Sequence, residues 1–492
     1  MTDDATQASG RHEHHERRWV AMAILLLAGF MNLIDVTIVN VALPSMQSGL
    51  AATSSGIEWV VAAYICAFAI GLLPFGRLGD MLGRRNVFLA GIACFSIASA
   101  LCGMAPTIET LVPARVLQGV SGAMMTPQTL AIAQVIFPIH ERAMAFSLFG
   151  LTAGLASVAG PLVGGLLIEA DLFGLGWRPI FLVNVPVGIF AIIAGLRFIP
   201  SMAGNRAIGI DRVGIAIAAA TLLLVIFPLV EGRNFDWPLW CFLLMLLSVP
   251  MAYGFVRWQG RQARRGRPQL LPVSLLSNRQ FLGGTVLVAL FFSGVPGFFM
   301  VLAVFLQSGF GLDPLHSGLT TMPFPAGVLL ASLVSGRLGA RFPRQRIFLG
   351  SLMLVIGLLW LKALAATIGN AFHSTDFLPP LALAGLGLGT AVSPLFQSVL
   401  SSVQGRDAGS ASGGVQSFQQ VGAALGVAVM GQIFFSRLPQ GAGDPHPAFV
   451  QALEAAMIYG CITFALVGVF GLLIKPPRHS GEPSGGPAFE AS

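Results

Sequence analysis

The sequence predicts an all-α, polytopic membrane protein of about fourteen transmembrane helices, built as two six-helix pseudo-repeat bundles plus an inserted helix pair. Three observations predict it. Of 492 residues, 55% are apolar and only 10% are charged, with a mean hydropathy of +0.79, whereas ordinary soluble domains carry roughly a quarter charged residues. The apolar residues fall in successive runs of membrane-crossing length. Arginines crowd alternate loops between those runs. Soluble enzyme folds are thereby excluded for nearly the whole chain. The 59 glycines and 30 prolines lie largely inside the apolar runs, where membrane helices tolerate them.

Residues 1–18 are polar and read as a cytoplasmic, disordered tail rather than a cleavable signal, because the run that follows is too long for a signal core. His12, His14 and His15 in it read as solvated side chains in preference to metal ligands. The N-terminal bundle, 19–200, holds spans at Val20–Pro44, Ile57–Arg77, Val87–Met104, Leu111–Phe137, Ala143–Leu167 and Pro179–Phe198. An inserted pair, 201–257, follows with Val213–Val230 and Trp237–Val256, then a basic cytoplasmic linker, 258–280. The C-terminal bundle, 281–475, holds Phe281–Leu306, Gly318–Leu338, Ile347–Ala366, Phe377–Val403, Ala408–Ile433 and Phe449–Ile474, before a disordered tail at 476–492.

One set of loops carries Arg77, Arg84, Arg85, Arg142, Arg197, Arg206 and Arg212, the run from Arg257 to Arg279, then Arg337 to Arg346 and Arg406. The opposite set has scattered cases such as Arg178, Arg233 and Arg437. The positive-inside rule makes the first set cytoplasmic. Both termini are then inside a cell membrane, which requires an even number of spans. The net charge of +7 is absorbed by this pattern, so no nucleic-acid partner is expected. Cys66, Cys94, Cys102, Cys241 and Cys461 sit in apolar runs without a CxxC pair and read as small apolar side chains.

An internal repeat moves the reading from membrane protein to transporter. Gly76-Arg77-Leu78-Gly79-Asp80 closes the second span, and Gly336-Arg337-Leu338-Gly339-Ala340 closes the second span of the other bundle. Glu141-Arg142-Ala143 and Asp407-Ala408-Gly409 open the two Gly-rich fifth spans in the same register. Duplicated halves with a substrate site between them are a common build of secondary transporters.

Asp35 stands mid-span, where a carboxylate costs roughly 2.5–3.5 kcal/mol or more. It must be neutral, paired or hydrated, and a group that can carry a proton is what proton coupling requires; a structural hydrogen-bonding role is the alternative. Arg115 shares a helix face with Gln118 and must pair or contact water, or else snorkel to the outer headgroups. Lys362 reads as snorkelling, Glu58 as a mouth residue and Trp59 as an interfacial anchor. Span 5 carries Gly150, Gly154, Gly160, Pro161, Gly164 and Gly165, suited to close helix packing or bending. Gln416, Gln419 and Gln420 in span 13 either line a path or join helices. Asn32, Asn40, Gln118, Met125, Gln416 and Gln419 are the candidate substrate-cavity residues. Phe291, Phe292, Phe298 and Phe299 read mostly as lipid-facing. A Walker-type loop, a Ser-His-Asp set and a metal cluster are all missing from the sequence, so no metal or cofactor is expected.

Together these segments resemble the major facilitator superfamily, and within it the fourteen-span drug:proton antiporter family. Gly76 through Arg85 is similar to the superfamily's signature loop between helices 2 and 3, and Asp35 through Pro44 resembles the helix 1 motif of fourteen-span exporters. Arg115-Val116-Leu117-Gln118-Gly119 resembles the helix 4 motif, Gly150 through Gly165 the exporter motif of helix 5, and Trp177 through Pro186 a stretch entering helix 6. The resemblance implies alternating access with export of drug-like compounds in exchange for protons. It implies coupling roles for Asp35 and Arg115 and a cytoplasmic latch at Gly76, Asp80, Gly83 and Arg84. Ala340 departs from it by removing the second-half carboxylate, and Gln419 departs where an arginine is often found. With Asp35 as the clear mid-membrane carboxylate, strongly cationic substrates are disfavoured.

The expected function is therefore a non-enzymatic, proton-coupled exporter of small drug-like or antibiotic compounds. Its expected partners are that substrate, protons and the lipid bilayer, the proton gradient takes the place of a cofactor, and it is expected to be monomeric. Export of an endogenous metabolite is the alternative, and a transport-inactive membrane sensor a third reading that the presence of Asp35 opposes.

Overall fold

Long apolar runs bounded by Thr, Asp and Asn caps and by Gly turns fold as long helices, since only a closed backbone hydrogen-bond ladder is stable in hydrocarbon. The computed structural model describes residues 2–232, 235–312, 314–338, 341–368, 373–403, 407–438 and 446–473, and every regular element among them is helical. The first half comprises α1 (Thr2–Gly49), α2 (Ser54–Leu82), α3 (Arg84–Gly103), α4 (Ile108–Ile136), α5 (Ile139–Glu169), α6 (Pro179–Leu182) and α7 (Asn184–Phe198). The inserted pair is α8 (Arg212–Glu231) and α9 (Leu239–Arg264), followed by the short α10 (Val273–Leu276). The second half comprises α11 (Arg279–Val304), α12 (Pro314–Thr321), α13 (Pro323–Leu338), α14 (Pro343–Ile368), α15 (Leu378–Leu400), α16 (Ala408–Phe435) and α17 (His446–Gly471).

Twelve stretches among the described residues are long and apolar enough to cross a membrane, so the chain is a multi-pass integral membrane protein. The helices α4 and α5, of 29 and 31 residues, have comparable length. Several expected boundaries shift. The sixth span divides into α6 and α7 around Val183, and the tenth divides into α12 and α13 at Met322, ahead of Pro323 and Pro325. A turn of π-helix, Phe305–Gly309, extends α11. The last turns of α9 run to Arg264, well into the segment expected to be loop. The N-terminal segment expected to be a disordered tail instead continues α1 back to Thr2, the side chains before Arg18 and everything after residue 473 lying outside the described residues.

A polar knot explains the longer α9. Asp211 caps α8 by accepting from Gly214 N at 2.8 Å, and also accepts from Trp258 Nε1 at 3.0 Å and Gln259 Nε2 at 3.0 Å. Gln259 Oε1 in turn accepts from Leu270 N at 3.1 Å. Gly83, at φ +95°, joins α2 to α3 in a conformation that side chains avoid. The connector from α7 docks on this turn, with Asn205 N donating to Asp80 O at 3.0 Å.

The helix α8 lies against both α2 and α16, while α9 turns most of its surface outward. Trp59, Phe227 and Trp240 stack in sequence at 5.9 and 6.0 Å, tying the pair to α2. Trp237 Nε1 donates to Gln432 Oε1 at 3.0 Å, tying it to α16. The phenylalanines of α11 correct the lipid-facing expectation. Phe291 and Phe298 are buried, meeting Phe464 and Phe324 inside the second half, because that half needs large apolar volume at its centre.

Candidate functional site

The two charges that looked most out of place in the sequence meet each other. Arg115 Nη1 on α4 donates to Asp35 Oδ2 on α1 at 2.6 Å, and both residues have no exposed surface. Removing either partner would strand a buried charge, so the pair is energetically committed. Gln118, one turn along α4, completes a ring. Its Nε2 donates to Asp35 Oδ1 at 2.7 Å and to Ser99 Oγ at 2.8 Å, while its Oε1 accepts from Arg115 Nη1 at 2.6 Å and from the Cys102 thiol at 3.5 Å. Asn184, at the start of α7, donates to Asp35 Oδ1 and Ser99 Oγ at 3.4 Å each. Arg115 Nε donates to the Val60 carbonyl of α2 at 2.9 Å, and its guanidinium lies 4.3 Å from the centre of the Tyr64 ring. Helices α1, α2, α3, α4 and α7 thus converge on one carboxylate within the first half.

A second carboxylate spans the two halves. Asp80, at the end of α2, accepts from Arg84 Nη2 at 2.9 Å, one turn further on. Across the seam, Gly409 N and Ser410 N each donate to it at 2.9 Å, and Ser410 Oγ donates at 3.0 Å. These donors belong to the first turn of α16, whose N–H groups lack intrahelical partners and whose dipole favours an anion. Gly76 permits the approach: a Cβ there would lie 3.2 Å from Gly413 Cα, where no side chain can yield. Further bonds close the same end, from Gln134 Nε2 to Leu400 O at 2.9 Å and from Ser412 Oγ to Pro127 O at 2.9 Å. Beside the clamp lies a cavity of about 880 Å³ lined by Arg77, Asp80, Arg84, Asn205, Gln269 and Asp407.

The residues expected to line a substrate path are dispersed. Asn32 is buried beside Tyr64, whose hydroxyl lies 3.5 Å from the Asn32 carbonyl. Gln118 belongs to the Asp35 ring. Met125 is buried against Gly91 of α3, inside the first half rather than on a cavity wall, because Gly91 leaves a notch for it. Gln416 joins the halves, donating to Thr126 O at 3.2 Å and Ser412 Oγ at 3.0 Å. Gln419 is partly exposed. The side chains of Asn40, Glu58, Pro161 and Arg337, and residues Gly339, Ala340 and Arg406, lie outside the described residues. On α5, Gly160 and Gly164 receive Thr37 and Ile38 of α1, and a Cβ at Gly154 would touch Pro325 of α13 at 3.4 Å.

Ser99, Asn184, Tyr64 and Ser410 were not singled out by sequence reasoning, and Cys102 is a hydrogen-bond donor rather than only an apolar filler. Glu231 was also overlooked. It ends α8 with 2% of its surface exposed, a buried acid in a membrane helix besides Asp35 and Asp80. The signal was available, since an acid closing a long apolar run is costly.

The family profile described as Major Facilitator Superfamily matches residues 25–427. The chain is 39% identical to the "Probable actinorhodin transporter" of Streptomyces coelicolor over 86% of this chain and 74% of that protein. It is 32% identical to the "Tetracenomycin C resistance and export protein" of Streptomyces glaucescens over 94% and 85% of the two chains. The solved structure of the proton:xylose symporter XylE shares the fold at a TM-score of 0.63 and 13% identity, covering 94% of this chain and 95% of that one.

Proposed function

The chain belongs to the major facilitator superfamily of transporters, and from that premise we propose that it exports small antibiotic or drug-like compounds in exchange for protons, by alternating access. The twelve apolar stretches together with α4 and α5 support a count of fourteen spans. The arginine-rich loops support cytoplasmic termini in a cell membrane. Relatives named for actinorhodin transport and for tetracenomycin C resistance and export support the substrate class. The contacts of α2 with α16 and of α5 with α13 support rocking of the two halves about those seams. The protein acts as a monomer and draws on the proton gradient without a cofactor.

The observation that carries the reading is the buried Asp35–Arg115 pair. Asp35 accepts from a guanidinium and two amides, an arrangement that favours its carboxylate form, while the Asp80 end of the molecule is closed. A proton arriving from outside neutralises Asp35. Arg115 then keeps Gln118 Oε1, Val60 O and the Tyr64 ring as partners, so the protonated state is supported as well. Opening of the Asp80 end would release that proton to the cytoplasm and admit substrate, and return of the carboxylate to Arg115 would close it. The test is purified protein in liposomes carrying an internal pH probe, challenged with a broad panel of antibiotics. Substrate movement accompanied by opposite proton flux is expected. Transport that proceeds without proton flux would refute the coupling.

A further inference from the structure

The Asp35 ring and the Asp80 clamp stand at opposite ends of one helix. Val60 and Tyr64 face Arg115 near the start of α2, and Asp80 grips α16 at its finish. The separation of sixteen positions from Tyr64 to Asp80 corresponds to roughly 24 Å of helix. Two α4 glycines bring that helix onto α2. A Cβ at Gly119 would collide with the Tyr64 carbonyl, and one at Gly122 would lie 3.2 Å from the Phe68 ring and 3.3 Å from Tyr64 Oη. Gln128 Nε2 of α4 donates to Phe75 O at 2.7 Å, fastening α2 just past Pro74. A movement of Arg115 therefore cannot leave α2 in place.

We propose that Tyr64 is the positioning residue that passes the charge change at Asp35 into α2, and through α2 to the grip of Asp80 on α16. When Asp35 is ionised, the guanidinium is shared between the carboxylate and the ring. When Asp35 is neutral, the Val60 carbonyl, the Gln118 oxygen and the Tyr64 face are the nearest groups left to the cation, the Phe181 ring lying further off at 5.6 Å, and a desolvated cation is drawn towards an aromatic face. Two of those three groups belong to α2, so protonation strengthens the attachment of α4 to α2 at one end and displaces the clamp at the other. The titratable or charged groups around this point are Asp35 from α1, Tyr64 from α2, Cys102 from α3 and Arg115 from α4; α6 and α7 contribute the uncharged Phe181 and Asn184. The inference rests on the proton-coupled reading above and assigns its transmission.

The test places spin labels at Leu82→Cys and Ser401→Cys, exposed positions at the clamp end of α2 and α15, with the partly exposed Cys94 changed to Ser. The distance between the labels is followed as pH is lowered in liposomes. In the otherwise unaltered protein the open population grows on acidification, and Tyr64→Phe retains that response. Tyr64→Leu removes the ring face and flattens it, with a loss of roughly tenfold in the pH-driven population ratio, while antibiotic binding at fixed pH is kept. Tyr64→Met serves the same purpose should the Leu variant fail to reach the membrane. A full response in both ring-less variants overturns the role of Tyr64. The Asp35→Asn control separates the two readings: if it abolishes the response while Tyr64→Leu keeps it, only the transmission fails. If Asp35→Asn keeps the response, the coupling reading itself fails.

Discussion

Replacing Asp80 by Asn preserves the size of the side chain but removes its charge and turns one of its two acceptor atoms into a donor. Four donor groups converge on the carboxylate, three of them from α16 and one from Arg84 in the same half. The amide can still accept from Gly409 or from Ser410, but its nitrogen must then face other N–H groups. Loss of an anion at a partly buried helix N-terminus costs up to about 2 kcal/mol, and a hydrogen bond to a charged group contributes about 1.5–3 kcal/mol. The bonds are not additive, so a bias of about 2–4 kcal/mol against the closed clamp is a fair expectation. That corresponds to a change of roughly 30- to 1000-fold in the ratio of closed to open forms. Arg84→Gln should cost less, because its bond lies within one half. The assay pairs efflux with the accessibility of a cysteine at the clamp. Asp80→Asn should insert normally, expose the site and lose efflux. Unchanged accessibility and efflux at equal expression would refute the clamp and leave the loop with a topological role alone.

A cysteine introduced at the exposed Arg264 should react with an impermeant reagent only from the cytoplasmic side; labelling in intact cells would break the fourteen-span topology. Asp35→Asn should abolish uphill efflux yet allow downhill movement, and Asp35→Glu should retain part of the activity; accumulation against a gradient in the Asn variant would remove Asp35 from coupling. Gly76→Val should hold the Asp80 end open, because even its Cβ would lie 2.5 Å from the Gly409 carbonyl oxygen; a closed clamp by spin-label distance in this variant would contradict the backbone contact.

Asp35 and Arg115 were legible because an ionised group in hydrocarbon is costly enough to stand out in a single sequence. Their neutral companions were not. Ser99 and Asn184 carry no charge, and such residues occur throughout membrane helices as simple hydrogen-bonding groups. Asp80 was legible from its motif, but its partner was not, since the first turn of α16 lies 329 residues away in the chain and presents backbone N–H groups that any sequence could supply. Met125 is named as a cavity residue from the sequence, but the notch at Gly91 that takes it is a property of two helices together. Phe291 and Phe298 misled for the same reason, since the burial of an apolar side chain depends on which face of α11 meets α16 and α17.

The Asp211 knot sets the length of a leash. The polypeptide crosses between halves through a long basic segment that invites description as a slack linker, yet most of it is tied down. Gln259 holds Leu270 by its backbone, and Asn278 caps α11 while donating to Ser402 O at 3.2 Å. Only residues 271–277 run between those two moorings, so the reach from Leu270 to Asn278 is roughly 26–29 Å even when fully drawn out, and less while α10 stays wound. The second half is therefore tethered at close range to the inserted pair, beside the seam that must part. Any rocking has to pivot near that mooring, and an insertion here would lengthen the stroke before it disturbed either half.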